Sequence, residues 1–167
     1  ETGIARGGSL LFAASILELI SLYKINKQSI VLGIDFEIRK HNLLEIKKSP
    51  LFKRIKLIEG SSINQDVTNK VKKISKKFKN VLVFLDSNHS HNHVLEELKI
   101  YSKLVTTNSY CVVFDTAISK LNNKFNIGKS WSSKKNPSSA IKEFLNYISK
   151  KKIYDEFDKR VKYAVDC

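Results

Sequence analysis

An acidic residue stands wherever an apolar run of this chain ends. Asp35 closes SIVLGID (29–35), Glu59 closes RIKLIE (54–59) and leads into Gly60-Ser61-Ser62, Asp86 closes VLVFLD (81–86), and Asp115 closes SYCVVFD (109–115). Glu1-Thr-Gly3 opens the chain in the same style. If these runs are parallel strands joined by crossover helices, their C-terminal ends share one rim, where open α/β sheets bind ligands. Packing alone gives no reason for an acid at each of those ends.

The spacing Glu1-x-Gly3-x-x-x-Gly7-Gly8-Ser9 precedes an apolar helical period. Glycines there allow a tight turn and close backbone approach to a ligand, and the free N–H groups of a helix start attract a carboxylate or phosphate. Asp35 lies about one βαβ unit further on, where an acid can accept both hydroxyls of a ribose. The pattern is not G-x-G-x-x-G, and an acid opens it. That suits a cofactor with a positive amino group, S-adenosylmethionine rather than NAD. No G-x-x-x-x-G-K-[ST] is present, so a P-loop ATPase is excluded.

A second constellation follows Asp86, the cluster His89-Ser-His91-Asn-His93. It has three readings: completion of a metal site, a general base whose ordinary pKa lies near working pH, or simple capping of the next helix by Asn88 or Ser90. A helix already begun at His89 would put His89 and His93 on one face and turn His91 elsewhere. His41 reads as a surface residue in a loop or first helical turn.

The elements that must position these groups alternate between short β-branched runs and amphipathic stretches, the pattern of an α/β domain with a mostly parallel sheet. The run 81–86 is continuously apolar, as expected of a central strand buried on both faces. Helical periods cover 10–23, with Ser9 as N-cap, then 66–78 and 92–105. A last helix starts near Asn136-Pro137, a cap followed by proline in the first turn. The stretch 10–20, which carries Glu18, reads as a buried helix. Residues 117–136, rich in Asn, Ser and Lys, form a long connection expected to lie over the ligand crevice.

At 167 residues the chain is read as one domain, 1–167, and as a fragment, since Glu1 stands inside the first motif. An N-terminal strand or helix and the C-terminal end are the expected missing parts. No signal peptide is visible, and no apolar run reaches the ~18 residues that span a bilayer. Cys111 and Cys167 make neither a disulfide framework nor a zinc knuckle, so the expected setting is reducing and cytoplasmic. The net charge of +14 is almost all lysine, scattered and without interleaved aromatics. It reads as a solvated surface, with no specific nucleic-acid partner expected.

Taken together, ETGIARGGS, LGIDFEIRKHN, LIEGSS, LVFLDSNHSHNHVLEEL and VVFDT closely resemble the cephalosporin hydroxylase and rhamnosyl O-methyltransferase family, in order and over nearly the whole chain. The resemblance implies a Rossmann-like methyltransferase fold, a doubly wound sheet with helices on both faces. It also implies S-adenosylmethionine as cofactor and often a divalent metal. On it, Glu1, Gly3 and Gly7 line the methionine part of the cofactor beside the helix start at Gly8 and Ser9. Asp35 binds the ribose, and Ser61 or Ser62 sits near the adenine. Asp86 and Asp115 match the family's metal-binding acids, a hard-oxygen site that suits Mg²⁺. His89 or His91 belongs in the site, His91 being preferred, with Asp86 beside the reacting oxygen as a catalytic residue too. One departure stands out: the family's Glu-Asp before Thr116 is Phe114-Asp115 here, which removes a ligand.

The function so implied is S-adenosylmethionine-dependent O-methylation of a small-molecule or sugar hydroxyl, in lipid or natural-product biosynthesis. A redox centre that hydroxylation needs is not visible. The alternatives are a cofactor-binding fold of this family with weak or no catalysis, and a basic nucleic-acid-binding module. A homo-oligomer is compatible with the sequence.

Overall fold

A computed structural model describes residues 1–23, 29–121, 129–150 and 161–164. The elements run α1 (Gly8–Tyr23), β1 (Val31–Asp35), α2 (Lys40–Lys48), β2 (Ile55–Glu59), α3 (Gln65–Ser75), β3 (Val83–Leu85), α4 (His91–Tyr101), β4 (Ser109–Val113), α5 (Pro137–Lys150) and β5 (Val161–Ala164). Short 3₁₀ turns occupy Pro50–Arg54, Ser102–Leu104 and Thr116–Lys120. The chain divides into two compact units, Glu1–Val67 and Thr68–Cys167.

In the first unit β1 and β2 pair in parallel, from Val31 opposite Ile55 to Asp35 opposite Glu59. Thr2 adds a parallel bridge to Ile34 on the other side of β1. A small apolar core gathers Ile4, Leu10, Ala14, Ile46 and Ile55. Glycine sets how closely α1 approaches. A Cβ on Gly33 would fall 2.8 Å from Ile4 and 2.9 Å from Leu10, and one on Gly7 would fall 2.4 Å from the Ile46 side chain. Gly7 also has φ +83°, where a side chain is strained. Gly8, by contrast, has nothing within 4 Å of its Cβ position.

The helix expected to be buried at 10–20 is buried on one side only. Leu10 and Ala14 face the core, whereas Phe12, Ile16, Leu19 and Ile20 are exposed. Glu18 explains part of the orientation. It receives hydrogen bonds from Lys53 and from the buried Arg54, which also binds the Ser29 carbonyl and the Ser21 hydroxyl. Those two cations, Lys53 foremost, lower the Glu18 pKa. The helix begins at Gly8, one residue before the expected cap, and the Ser9 hydroxyl donates to the Glu1 carboxylate instead.

In the second unit β3, β4 and β5 form a parallel sheet in that order. Val83 lies opposite Cys111 and Leu85 opposite Val113. Here β4, not the 81–86 run, is the middle strand. Val83 and Leu85 are buried, Phe84 is half-buried and Leu82 is exposed. The strand is also shorter than expected, because Val81 N–H turns to the Thr106 hydroxyl, 2.9 Å away, instead of continuing the ladder. The start of α5 is as read. Pro137 opens it, the Asn136 side chain accepts from Ser139 N–H, and Ser139 Oγ accepts from Asn136 N–H, a reciprocal cap. Residues 122–128 of the long connection lie outside the described residues. Among the described residues no helix is long and apolar enough to cross a membrane.

Two elements had no counterpart in the sequence reading. In α2 only Ile46 is buried, so its apolar stripe is too thin to stand out. The four residues of β5 follow a charged stretch and are recognisable only by their pairing with β4.

Gly7→Ala is expected to lower stability by about 1–3 kcal/mol, since it adds a strained φ to an overpacked contact. Gly8→Ala should stay within about 1 kcal/mol of the parent. Urea denaturation of both variants checks this, and equal losses would contradict the Gly7–Ile46 contact. A second expectation concerns Cys111, whose thiol is fully buried and pushed up to about 12, first by burial and then by the charge of Glu97. A raised thiol pKa disfavours the thiolate in the fold, so stability should fall as pH climbs from the ordinary value of 9.0 towards 12. In a Cys167→Ser background, a thiol reagent should label Cys111 only after denaturation. Prompt labelling of the native chain would contradict its burial.

Candidate functional site

The strand register decides which acids meet. In the second unit, pairing of Leu85 with Val113 puts Asp86 level with Phe114 and leaves Asp115 one residue further on. Phe114 N–H closes the ladder on the Leu85 carbonyl at 3.0 Å. Asp115 then takes a left-handed conformation, φ 58° and ψ 27°, and its carbonyl starts the Thr116–Lys120 turn. Aspartate tolerates that conformation better than most residues.

His89 joins the two acids. Its Nε2 lies 2.9 Å from Asp115 Oδ2 and 3.6 Å from Asp86 Oδ1. One donor atom from each of Asp86, His89 and Asp115 falls within 4.8 Å of the others, the one such convergence of three groups among the described residues. The three side chains are 37%, 30% and 45% exposed, respectively, so the cluster is open to solvent yet partly shielded. The pKa of His89 is raised, most by hydrogen bonding to Asp86 and further by the charges of Asp115 and Glu97, against the opposing effect of partial burial. Asp115 makes the shorter contact and Asp86 the larger shift.

The other two histidines of the cluster go elsewhere. His91, at the first residue of α4, bridges to α5 through Nδ1···Ser139 Oγ at 2.7 Å and Nε2···Glu143 Oε2 at 2.9 Å. That arrangement fastens two helices, and it does not bring His91 into the acid cluster. His93 Nε2 lies 3.6 Å from Glu97 Oε1. Ser90 is the N-cap residue of α4 without a side-chain cap bond, and the Asn88 side chain accepts from Ser90 N–H at 2.8 Å. Since α4 starts at His91, His89 stays on the loop where it can reach both acids.

Glu97 was not singled out in the sequence, where it reads as an ordinary charged position of an amphipathic helix. It is 0% exposed. Its Oε1 accepts from the Ser87 hydroxyl at 2.7 Å, while Oε2 is buried without a hydrogen-bond partner. Phe114, where the resemblance led to the expectation of a carboxylate, packs edge-on to Phe84 with ring centroids 5.7 Å apart. Two carboxylates and an imidazole remain, a donor set that fits a divalent cation. Glu97 is tied to the same strand end through Ser87, the residue after Asp86.

In the first unit Glu1, Gly3, Gly7, Gly8 and Ser9 lie on one segment, with Asp35 at the end of β1 and Ser61 and Ser62 after β2. Gly3, Ala5 and Gly7 all have positive φ, so the chain coils tightly between Thr2 and α1. Asp35 holds that coil, its Oδ2 accepting from Ile4 N–H at 2.8 Å and Ala5 N–H at 3.1 Å, and its Oδ1 from Glu37 N–H. Glu59 performs the parallel task at the neighbouring strand end, accepting from Ile38 N–H at 2.9 Å. Gly60 N–H ties that end to the Asp35 carbonyl at 2.7 Å. Ser61 is half-buried and Ser62 buried in the turn that leads to Asn64, whose side chain accepts from Asp66 N–H at the start of α3. Asp35 is therefore a structural anchor of the glycine loop as well as an acid on its rim.

Comparison with known proteins places this geometry. Residues 1–166 match the family described as rhamnosyl O-methyltransferase/CmcI. Rhamnosyl O-methyltransferases of Mycobacterium bovis and Mycobacterium tuberculosis are each 28% identical over 121 residues, 71% of this chain and 45% of theirs. The chain therefore spans less than half the length of the curated relatives it matches. No solved structure shows a significant match. With the match covering all but its last residue, the chain belongs to the rhamnosyl O-methyltransferase/CmcI family.

Proposed function

We propose that this chain forms the core of an S-adenosylmethionine-dependent O-methyltransferase acting on a hydroxyl of a sugar or other small molecule. The observation that carries the reading is the convergence of Asp86, His89 and Asp115 at the ends of two parallel strands, in a chain that also carries the family's glycine loop. Its short parallel strand pairs support a Rossmann-like fold, and one doubly wound sheet with helices on both faces is part of the proposal. When bound, S-adenosylmethionine supplies the electrophilic methyl group, and a divalent cation lowers the pKa of the accepting hydroxyl.

The chain's own residues do the positioning. Glu1, on the opening segment, offers a carboxylate for the positive amino end of the cofactor, and Gly3 and Gly7 let the backbone come close. Gly8 and Ser9 present the start of α1. Asp35 accepts the ribose hydroxyls while its other contacts hold the loop in shape, and Ser61 or Ser62 lies towards the adenine. Asp86 and Asp115 bring negative charge to the place where the hydroxyl must lose its proton. His89, whose Nε2 faces both acids, completes that centre. His91, preferred on sequence, is engaged by Ser139 and Glu143. A soluble cytoplasmic setting belongs to the same proposal.

Calorimetric titration of the chain with S-adenosylmethionine tests this. Micromolar binding is expected, with Asp35→Ala weakening it by at least about tenfold, or roughly 1.4 kcal/mol, while circular dichroism confirms that the variant folds. A folded parent chain that binds neither S-adenosylmethionine nor its demethylated product would sink the methyltransferase reading. So would a folded Asp35→Ala chain that binds as the parent does.

A further inference from the structure

We propose that the Asp86–His89–Asp115 centre selects a later first-row divalent cation, of the Fe²⁺, Co²⁺ or Zn²⁺ class, over Mg²⁺. The inference deepens the methyltransferase reading and rests on it for the use of a cation at this place. Its basis is the exchange of donors. Position 114 is a phenylalanine engaged with Phe84, so no third carboxylate stands on the rim, and an imidazole occupies the third place instead. Mg²⁺ takes oxygen ligands and keeps its waters, whereas imidazole nitrogen favours the later transition metals.

The distances fit such an ion. Two ligands held about 2.1 Å from an octahedral metal are about 3.0 Å apart when adjacent. His89 Nε2 and Asp115 Oδ2 are 2.9 Å apart, and Nε2 and Asp86 Oδ1 are 3.6 Å apart. His89 is placed for this by the start of α4 at His91, which leaves it on the preceding loop.

A second observation is independent of the rim. Glu97 is wholly buried, its Oε1 accepts from Ser87 beside Asp86, and its Oε2 has no hydrogen-bond partner. A buried carboxylate oxygen without a donor is costly. Asp86 and Asp115 both face the His89 imidazole, and a dication there offsets the charge of both carboxylates. That negative charge is local, since the chain as a whole carries +14.

The test uses Co²⁺ and Mg²⁺ as probes on chelator-stripped chain. Visible absorption and calorimetry should show Co²⁺ bound at least about tenfold more tightly than Mg²⁺. Proton NMR of the Co²⁺ form should show a contact-shifted, exchangeable imidazole N–H, a readout that needs no variant. His89→Ala should remove that resonance and weaken Co²⁺ far more than Mg²⁺, and His89→Asp should reverse the preference. Tighter Mg²⁺ than Co²⁺, Co²⁺ affinity unchanged in folded His89→Ala, or no Co²⁺ binding at millimolar concentration would each overturn the inference. S-adenosylmethionine binding is measured on the same stripped sample. Its presence without a Co²⁺ site removes this inference alone, and its absence removes the methyltransferase reading.

Discussion

Parallel pairing of β3 with β4 is the constraint on which the site depends. Its register, Val83 with Cys111 through Leu85 with Val113, ends both strands at the same level and leaves Asp86 and Asp115 just beyond the ladder. An antiparallel pair would send one of those acids to the opposite edge. A shift by one residue would move Phe114 out of level with Asp86 and turn the buried Cys111 and Val113 outward. The core face therefore fixes the site: Val83, Leu85, Cys111 and Val113 are all buried, so the register that hides them is the register that presents the acids.

The first unit applies the same device to a different end. Asp35 and Glu59 are level across β1 and β2, and each reaches into the loop of its neighbour to accept backbone N–H groups. Carboxylates there organise the glycine segment before any ligand arrives. A cofactor loop held by its own acid loses less entropy on binding than a free one. Gly7 belongs to the same economy of space, since its missing side chain admits Ile46 of α2. A motif that reads as ligand-binding is thus partly a packing motif, with Gly7 required by the Ile46 contact while Gly8 is under no such pressure.

Strand positions and the rim acids were legible in the sequence because burial on a parallel sheet writes itself as β-branched runs that end in something polar. Asp35, Glu59, Asp86 and Asp115 were found that way, and Asn136-Pro137 was found by cap chemistry. What was not legible depended on tertiary contact. The role of His89 against that of His91 turns on a helix start two residues later than His89, a difference that sequence patterning does not resolve. Glu97 looks like a solvent-facing glutamate until α4 is seen to turn it inwards. Apolar residues of α1 suggested a helix buried all round, but only Leu10 and Ala14 face the core. Phe114 was recognised as a departure, and the aromatic contact with Phe84 that accompanies it is visible only in three dimensions.

The most direct test of the central claim is a crystal structure of this chain with S-adenosylhomocysteine. The account predicts the ribose hydroxyls on Asp35 and the amino-acid end of the ligand against Glu1 and Gly3. Ligand bound elsewhere on the chain, with the Glu1–Ser9 segment and Asp35 untouched, would contradict it.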